Sequence, residues 1–435
     1  MEMSRSRLLL VALCLAGATL VGRASPQAPT SAEVTLLRGM LGDARSYVEE
    51  YYYDRTYRGI KLGNRVKDFD ARVRQARSFD EGLTLVSEFL GGFNDSHTYF
   101  IPPLRPEVFE YGYRLLAVGN DVFVRRVKGG SDAAASLRVG DQVLAVNGHP
   151  ASRTTLLEIQ SLFGRLQPQR EMHLSLRSVD GALRDVTVRA EVRPRPPRSL
   201  AGLSLQQAGL EEIKMEARES GLMTARTSLV DDVLICQFPS FLGTPEGIDA
   251  LFREIKKHRA MVLDLRGNPG GFTAVESRVI TNLFTKRVTI GEQVTRFGRS
   301  RETVPGSRGA FVGRLIVLID ARSASASELL ARIVQLEGRG TVLGDRSAGA
   351  VMEGVLLTGT RGFGTPYSFS ITRADLLMTD GHSLEGRGVT PDELLLPTAQ
   401  DLAAGRDPVL SRAARLLGLD LDPVAAGRLF PYEWR

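Results

Sequence analysis

The stretch Leu315 to Gly340, LIVLIDARSASASELLARIVQLEGRG, constrains this chain more than any other. Leu315 to Ile319 are five apolar residues in a row, the mark of a buried strand. Asp320 to Ser323 read as a sharp turn. Ala326, Leu329, Leu330, Ile333 and Val334 then recur at helical spacing, so a helix begins near Ser325. A hydroxyl at such a junction lies where helix N–H groups point outward and the dipole favours developing negative charge. That suits a nucleophile beside an oxyanion hole. A serine is also the ordinary cap of a helix, so this stretch leaves both readings open.

Two further segments share the strand-to-turn character. Leu263 to Gly271, LDLRGNPGG, runs a strand into a glycine-rich turn and then a helix. Its spacing matches neither a nucleotide P-loop nor a dinucleotide fingerprint. Asp95-Ser96-His97-Thr98 lies in a turn after an apolar helical region, and LEGRGVTPD, Leu384 to Asp392, lies late in the chain.

Taken together, these segments resemble the tail-specific (C-terminal processing) serine proteases and their tricorn-type relatives. The resemblance covers most of the chain after its leader. SASASE, Ser323 to Glu328, is similar to the nucleophile motif, whose middle serine maps to Ser325. The glycine-rich turn resembles the segment supplying an oxyanion-hole amide, which implies Gly271 or its neighbour Gly270 as donor, together with the Ala326 N–H. Only glycine lets a backbone come so close to a carbonyl.

The tail-specific branch uses a lysine base in a segment resembling GDRSAGAVME, Gly344 to Glu353. Ala350 occupies that lysine's position, and no lysine follows Lys286. A methyl group cannot transfer a proton. The tricorn-type branch instead takes a histidine from an upstream Ser-His pair and a distant glutamate. Those map to Ser96, His97 and Glu385. The resemblance therefore implies Ser325 as nucleophile, His97 as base and then acid, and Ser96 with Glu385 as the orienting pair. Each has an ordinary alternative: a loop-capping histidine, a turn serine, a solvated glutamate. His382, close in sequence to Glu385, is a rival base. His149, His173 and His258 read as surface or strand positions.

Residues 1–24 carry Arg5 and Arg7, an apolar run from Leu8 to Val21, and small residues before an expected cleavage after Ala24. This is the pattern of a signal peptide. The run is short for a spanning helix, so no membrane span is expected after cleavage, and the expected location is periplasmic or extracellular. After Cys14 is removed with the leader, Cys236 is the one cysteine left, which excludes a disulfide framework. Cys236 sits in an apolar strand run and reads as a small core residue. The net charge of +6 comes from a mixed-sign, arginine-rich composition. Without a dense basic run interleaved with aromatics, no nucleic-acid partner is expected. No His/Cys/carboxylate cluster has ligand spacing, so no metal or cofactor is implied.

The periodicities divide the chain. Residues 25–104 form an N-terminal helical region carrying the Ser-His pair. Residues 105–193 change to short strands: Tyr113 to Val118 against Asp121 to Val127, Leu137 to Gly148, an amphipathic helix from Thr155 to Leu166, and a hairpin turning at Asp180-Gly181. This order, and LRVGDQVLAVNG above all, resembles a bacterial PDZ domain, with Tyr111-Gly112-Tyr113 at the loop that would hold a peptide's C-terminal carboxylate. A lid or spacer is the alternative role for such a domain. RPRPPRSL, Arg193 to Leu200, reads as a stiff linker. Residues 194–400 alternate strand and helix, an α/β core with a mixed sheet, for which the resemblance implies a ClpP/crotonase-like spiral. Residues 401–435 form a helical tail.

The resulting expectation is an exported serine peptidase acting on polypeptides, with the PDZ-like domain as the place where their C-termini would be held. Two rivals use the same residues: a non-catalytic ligand- or peptide-binding protein on this scaffold, and an adaptor in which only the PDZ-like region matters.

Overall fold

The computed structural model describes residues 27–195, 207, 211, 214–215, 217–218, 221–359, 366–432 and 434. The expected signal peptide and most of the expected linker lie outside these residues.

Three helices, Ser31–Tyr51, Leu62–Arg74 and Phe79–Gly91, open the chain. The first is closed by a capping box between Thr30 and Glu33, and Ser78 caps the third. Their apolar faces (Leu37, Met40, Val86, Phe89) share a core with Tyr367 and with Phe369 and Ile371 of the long strand Ser368–Met378 that follows it. That strand centres a five-stranded sheet with Tyr99–Ile101, Val288–Thr295, Gly298–Val304 and Glu353–Thr358. The packing places the turn carrying His97 at the rim of this sheet, because Tyr99 pairs with Ser370 two residues later.

In the short-strand region the expected strand Leu137 to Gly148 narrows to Gln142–Val146, and the expected helix Thr155 to Leu166 is α-helical over Leu156–Ser161 and π-helical over Leu162–Leu166. Tyr113–Val118 pairs antiparallel with Asp121–Val127, and Glu171–Arg177 with Leu183–Arg189. The sheet closes over the helix Leu156–Ser161, whose Leu156 and Ile159 meet Leu115, Ala117 and Val143. Another expectation changes here. Arg193 and Pro194 are not linker but part of the strand Glu191–Pro194, which pairs with Glu107–Glu110. Proline is tolerated because this is a two-stranded ribbon, where each strand has a free edge.

The second half builds a six-stranded sheet whose spatial order follows the chain: Arg226–Val230, Val233–Gln237, Ala260–Asp264, Arg314–Ile319, Thr341–Gly344 and Glu393–Leu394. The first pair is antiparallel and the rest parallel, so the sheet is mixed. Side chains alternate between its faces. Leu234, Cys236, Met261, Leu263, Val317 and Ile319 face a core with the helices Pro245–Ile255, Thr273–Leu283 and Ala326–Leu336. Val233, Ile235, Val262, Ile316 and Leu318 face the tail helix Pro408–Leu416 through Val409, Leu410 and Ala413. Cys236 is fully buried, and burial pushes its thiol up to about 12, as suits an inert core residue. Arg266 ties the tail to the sheet, bridging Asp264 and Asp407 at 2.7 Å each.

Candidate functional site

The strand Arg314–Ile319 ends in a turn, and the helix Ala326–Leu336 starts after six intervening residues. The three serines at this junction have different fates. Ser323 is buried; its hydroxyl donates to the Leu265 carbonyl (2.8 Å) and accepts from the Asp320 N–H (2.9 Å). Ser327 is buried too, donating to the carbonyls of Ala324 (2.8 Å) and Asn268 (2.9 Å). Ser325 lies between them, partly exposed, as the residue preceding the helix. Its φ of 57° with ψ of −123° is a conformation that a residue bearing a Cβ rarely adopts. Strain of this kind persists where the surroundings over-determine it.

Those surroundings are visible. The Ser325 N–H donates to the Ala350 carbonyl (2.8 Å) and to Glu328 Oε2 (3.1 Å). Glu328, fully buried, also accepts from the N–H groups of Gly349 (2.7 Å) and Ala350 (2.8 Å) and from the Ser347 hydroxyl. Burial pushes its carboxyl up, while those donors pull it back. Sequence reasoning gave Glu328 no role. Its signal was present in Ser325-x-x-Glu328, the spacing of a capping box.

The glycine-rich turn packs directly on this serine. A Cβ on Gly270 would sit 2.6 Å from the Ser325 Cβ, and one on Gly271 would sit 2.4 Å from the Phe241 carbonyl carbon. Asn268, buried within the turn, accepts from the Gly270 N–H (2.8 Å) and donates to the Phe238 carbonyl (2.9 Å). The Gly270 amide is therefore engaged inside its own loop. The Gly271 amide, and that of Ala326 at the first helical position, have no such partner among the described residues.

The second cluster comes from the opposite end of the chain. Ser96 Oγ is 2.8 Å from Glu385 Oε2 and 2.7 Å from His97 Nδ1, and the Ser96 N–H donates to Glu385 Oε1 at 2.7 Å. A carboxylate only accepts, so the single Ser96 proton goes to Glu385, and Ser96 accepts from His97 Nδ1–H. The remaining nitrogen, Nε2, then carries the lone pair. Burial pushes this imidazole down to about 4, against the pull of Asp95 and Glu353. Asp95 organises the turn: it accepts from the His97 and Thr98 N–H groups (3.1 and 2.8 Å) and from the Tyr52 hydroxyl (2.8 Å).

The clusters meet through two consecutive residues. Ala350 accepts from the Ser325 amide, and the Val351 N–H donates to Glu385 Oε2 at 2.9 Å. Gly354, in the strand beginning three residues on from Ala350, lies against the His97 ring, where a Cβ would be 3.5 Å from Cδ2. Among the described residues no hydrogen bond joins Ser325 to His97. The rival His382 is exposed at a turn, its N–H on Asp380 Oδ1 (3.1 Å). Ala350, where a lysine base would stand, contributes only backbone. Among the described residues no group of three or more His, Cys, Asp or Glu could hold a metal ion, and no helix is long and apolar enough to cross a membrane.

Residues 232–395 match the model for peptidase family S41, and residues 108–174 that for the PDZ domain. A tricorn protease homolog of Streptomyces coelicolor is 32% identical over 36% of this chain and 13% of its own length. A carboxy-terminal-processing protease of Bartonella bacilliformis is 31% identical over 36% of each chain. These matches therefore span little more than a third of those relatives at most. A chloroplastic C-terminal processing peptidase of Tetradesmus obliquus matches at 24% identity over 93% of this chain and 84% of its own. Among solved structures, mature CPAF has a TM-score of 0.63 at 15% identity, covering 86% of this chain and 95% of that one. The photosystem II D1 C-terminal processing protease has a TM-score of 0.53 at 19% identity, covering 92% and 100%.

Proposed function

We propose, since residues 232–395 match the model for peptidase family S41 and residues 108–174 that for the PDZ domain, that this chain is an exported serine peptidase that cleaves polypeptides through an acyl-enzyme on Ser325. His97 Nε2 takes the Ser325 proton as the hydroxyl attacks the peptide carbonyl. It then gives that proton to the leaving amine, and a water molecule repeats the cycle in reverse. The N–H groups of Gly271 and Ala326 receive the oxyanion; Gly270 shapes the turn without donating, its amide being held by Asn268. Ser96 and Glu385 hold the imidazole in its basic tautomer, as a carboxylate does in other serine hydrolases. Export rests on the basic, apolar and small-residue pattern of residues 1–24. The PDZ domain is read as holding an extended substrate segment at a sheet edge, with its terminal carboxylate at the loop before Tyr113.

The observation that carries this reading is the Ser96 hydroxyl lying 2.7 Å from His97 Nδ1 and 2.8 Å from Glu385. A turn histidine with a merely structural role needs no such relay. The test is a fluorophosphonate probe followed by peptide mapping. Modification at Ser325, abolished in Ser325→Ala and strongly slowed in His97→Ala, is expected. Labelling of the folded protein that ignores His97, or none at all, rejects the peptidase reading.

A further inference from the structure

The strand Tyr113–Val118 is the outermost strand of the PDZ sheet, and the loop before it is already occupied. Glu110 Oε1 accepts from the Gly112 N–H at 2.9 Å, at a glycine with φ of 71°. Arg114 grips the same carboxylate in a two-pronged pair, at 3.0 and 3.1 Å. Such pairs are among the stronger polar contacts in proteins. Tyr111 shuts the side of the loop, its hydroxyl donating to the Gln169 carbonyl (2.9 Å) and accepting from the Gln169 N–H (3.0 Å).

Arg114 is itself covered. The Trp434 ring lies 4.7 Å from its guanidinium carbon, and the Tyr432 ring 4.1 Å from that of Arg126, the residue directly opposite Arg114 on the next strand. Tyr432 and Trp434 meet edge to face at 5.5 Å. Further back, Phe430 lies 5.3 Å from the Arg226 guanidinium at the edge of the peptidase sheet. Three aromatic residues thus step from the peptidase sheet onto the PDZ domain, each over an arginine.

We propose that Glu110 is a built-in occupant of the carboxylate loop, kept there by the strap of Phe430, Tyr432 and Trp434, so that an incoming peptide carboxylate must displace it. Trp434 restrains Arg114, Arg114 restrains Glu110, and Glu110 holds the Gly112 amide. A free peptide terminus offers the same carboxylate chemistry and competes for the same donors. This rests on the reading of the Gly112 loop as a carboxylate site, and it makes capture at that site conditional on release of the strap.

The experiment uses the full chain carrying Ser325→Ala, so binding is read without turnover. The probe is a fluorescein-labelled decapeptide pool, randomised at its last three positions, as the free acid and as the C-terminal amide. Affinity is followed by anisotropy in that parent, in Glu110→Ala, and in the Tyr432→Ala/Trp434→Ala double variant. The expected result is a gain of about tenfold for the free acid in the strap variant, and a similar or larger gain in Glu110→Ala, with the amide unchanged. The strap variant leaves the loop residues intact, so it decides the matter if Glu110→Ala misfolds. No gain there, or an equal gain for the amide, overturns the proposal. Probe labelling of Ser325 in the wild-type chain is a separate readout, so loss of this proposal leaves the peptidase reading standing.

Discussion

Two of the three serines at the junction are spent on backbone. Ser323 and Ser327 close the turn with buried hydrogen bonds, and only Ser325 keeps a hydroxyl outside that lattice. At this scale the relay makes two predictions. Ser96→Ala removes the group that fixes the His97 tautomer without touching Ser325. A fall in kcat of about ten- to a hundredfold with little change in KM is expected, and unchanged steady-state kinetics would show that Ser96 is only a turn residue. The second concerns pH. His97 must be neutral to act as a base, and its pKa is pushed below the ordinary 6.5 to about 4. The acid limb of kcat/KM in the free enzyme should therefore lie well below pH 6, with activity lost as pH falls towards 4. The sign for stability is the same: the unfolded chain takes up this proton from about 6.5 downward while the native state resists, so stability declines through that window. A limb centred at or above 6.5 would contradict the buried imidazole.

Single elements bring the backbone close where chemistry needs it. The Leu263-to-Gly271 segment, a strand and its turn, is pressed against the start of the Ala326–Leu336 helix. Gly270→Ala is the sharpest probe of that approach. Its φ is 93°, and a Cβ would stand 2.6 Å from that of Ser325 and 2.9 Å from the Ala324 carbonyl oxygen. A loss of about 2 kcal/mol in stability is expected. A fall in kcat of at least about a hundredfold should accompany it, because Ser325, the proposed nucleophile, is displaced. Denaturant melts and steady-state kinetics on one preparation check both, and intact activity would mean that Ser325 is not held as described. These turns were legible in the sequence as glycine-rich breaks between apolar runs. Which of the two glycine amides is left without a partner was not, because that depends on Asn268 taking up the Gly270 N–H.

The region that matches the PDZ model and the region that matches the S41 model meet over a buried ion pair. Arg153 lies 3.0 Å from Asp345, with both side chains at or below 10% exposure, and it also donates to the Ser347 carbonyl at 2.8 Å. Ser347 donates to Glu328, so the domain interface is one residue from the support of Ser325. Arg153→Met leaves Asp345 buried without its cation, and a loss of about 3 kcal/mol is expected, together with lower kcat. Asp345→Asn added to it should recover much of the stability. If Arg153→Met unfolds at the wild-type denaturant midpoint, the interface does not bear on the core.

The sequence by itself determined the elements. Apolar runs, helical spacing and the glycine turns marked where strands and helices fall, because those signals act within a few residues. Through the family resemblance it also put forward Ser325, His97, Ser96 and Glu385 as one set, and it excluded a lysine base at Ala350. Only the tertiary structure supplied the contacts: Ser96 and Glu385 are 289 positions apart, yet one hydroxyl proton links them. It also assigned Glu328 four donors and gave the Gly112 amide to Glu110. The physical reason is that a hydrogen bond depends on which groups lose water together, and that is settled when sheets and helices pack, not by the order of residues along a chain.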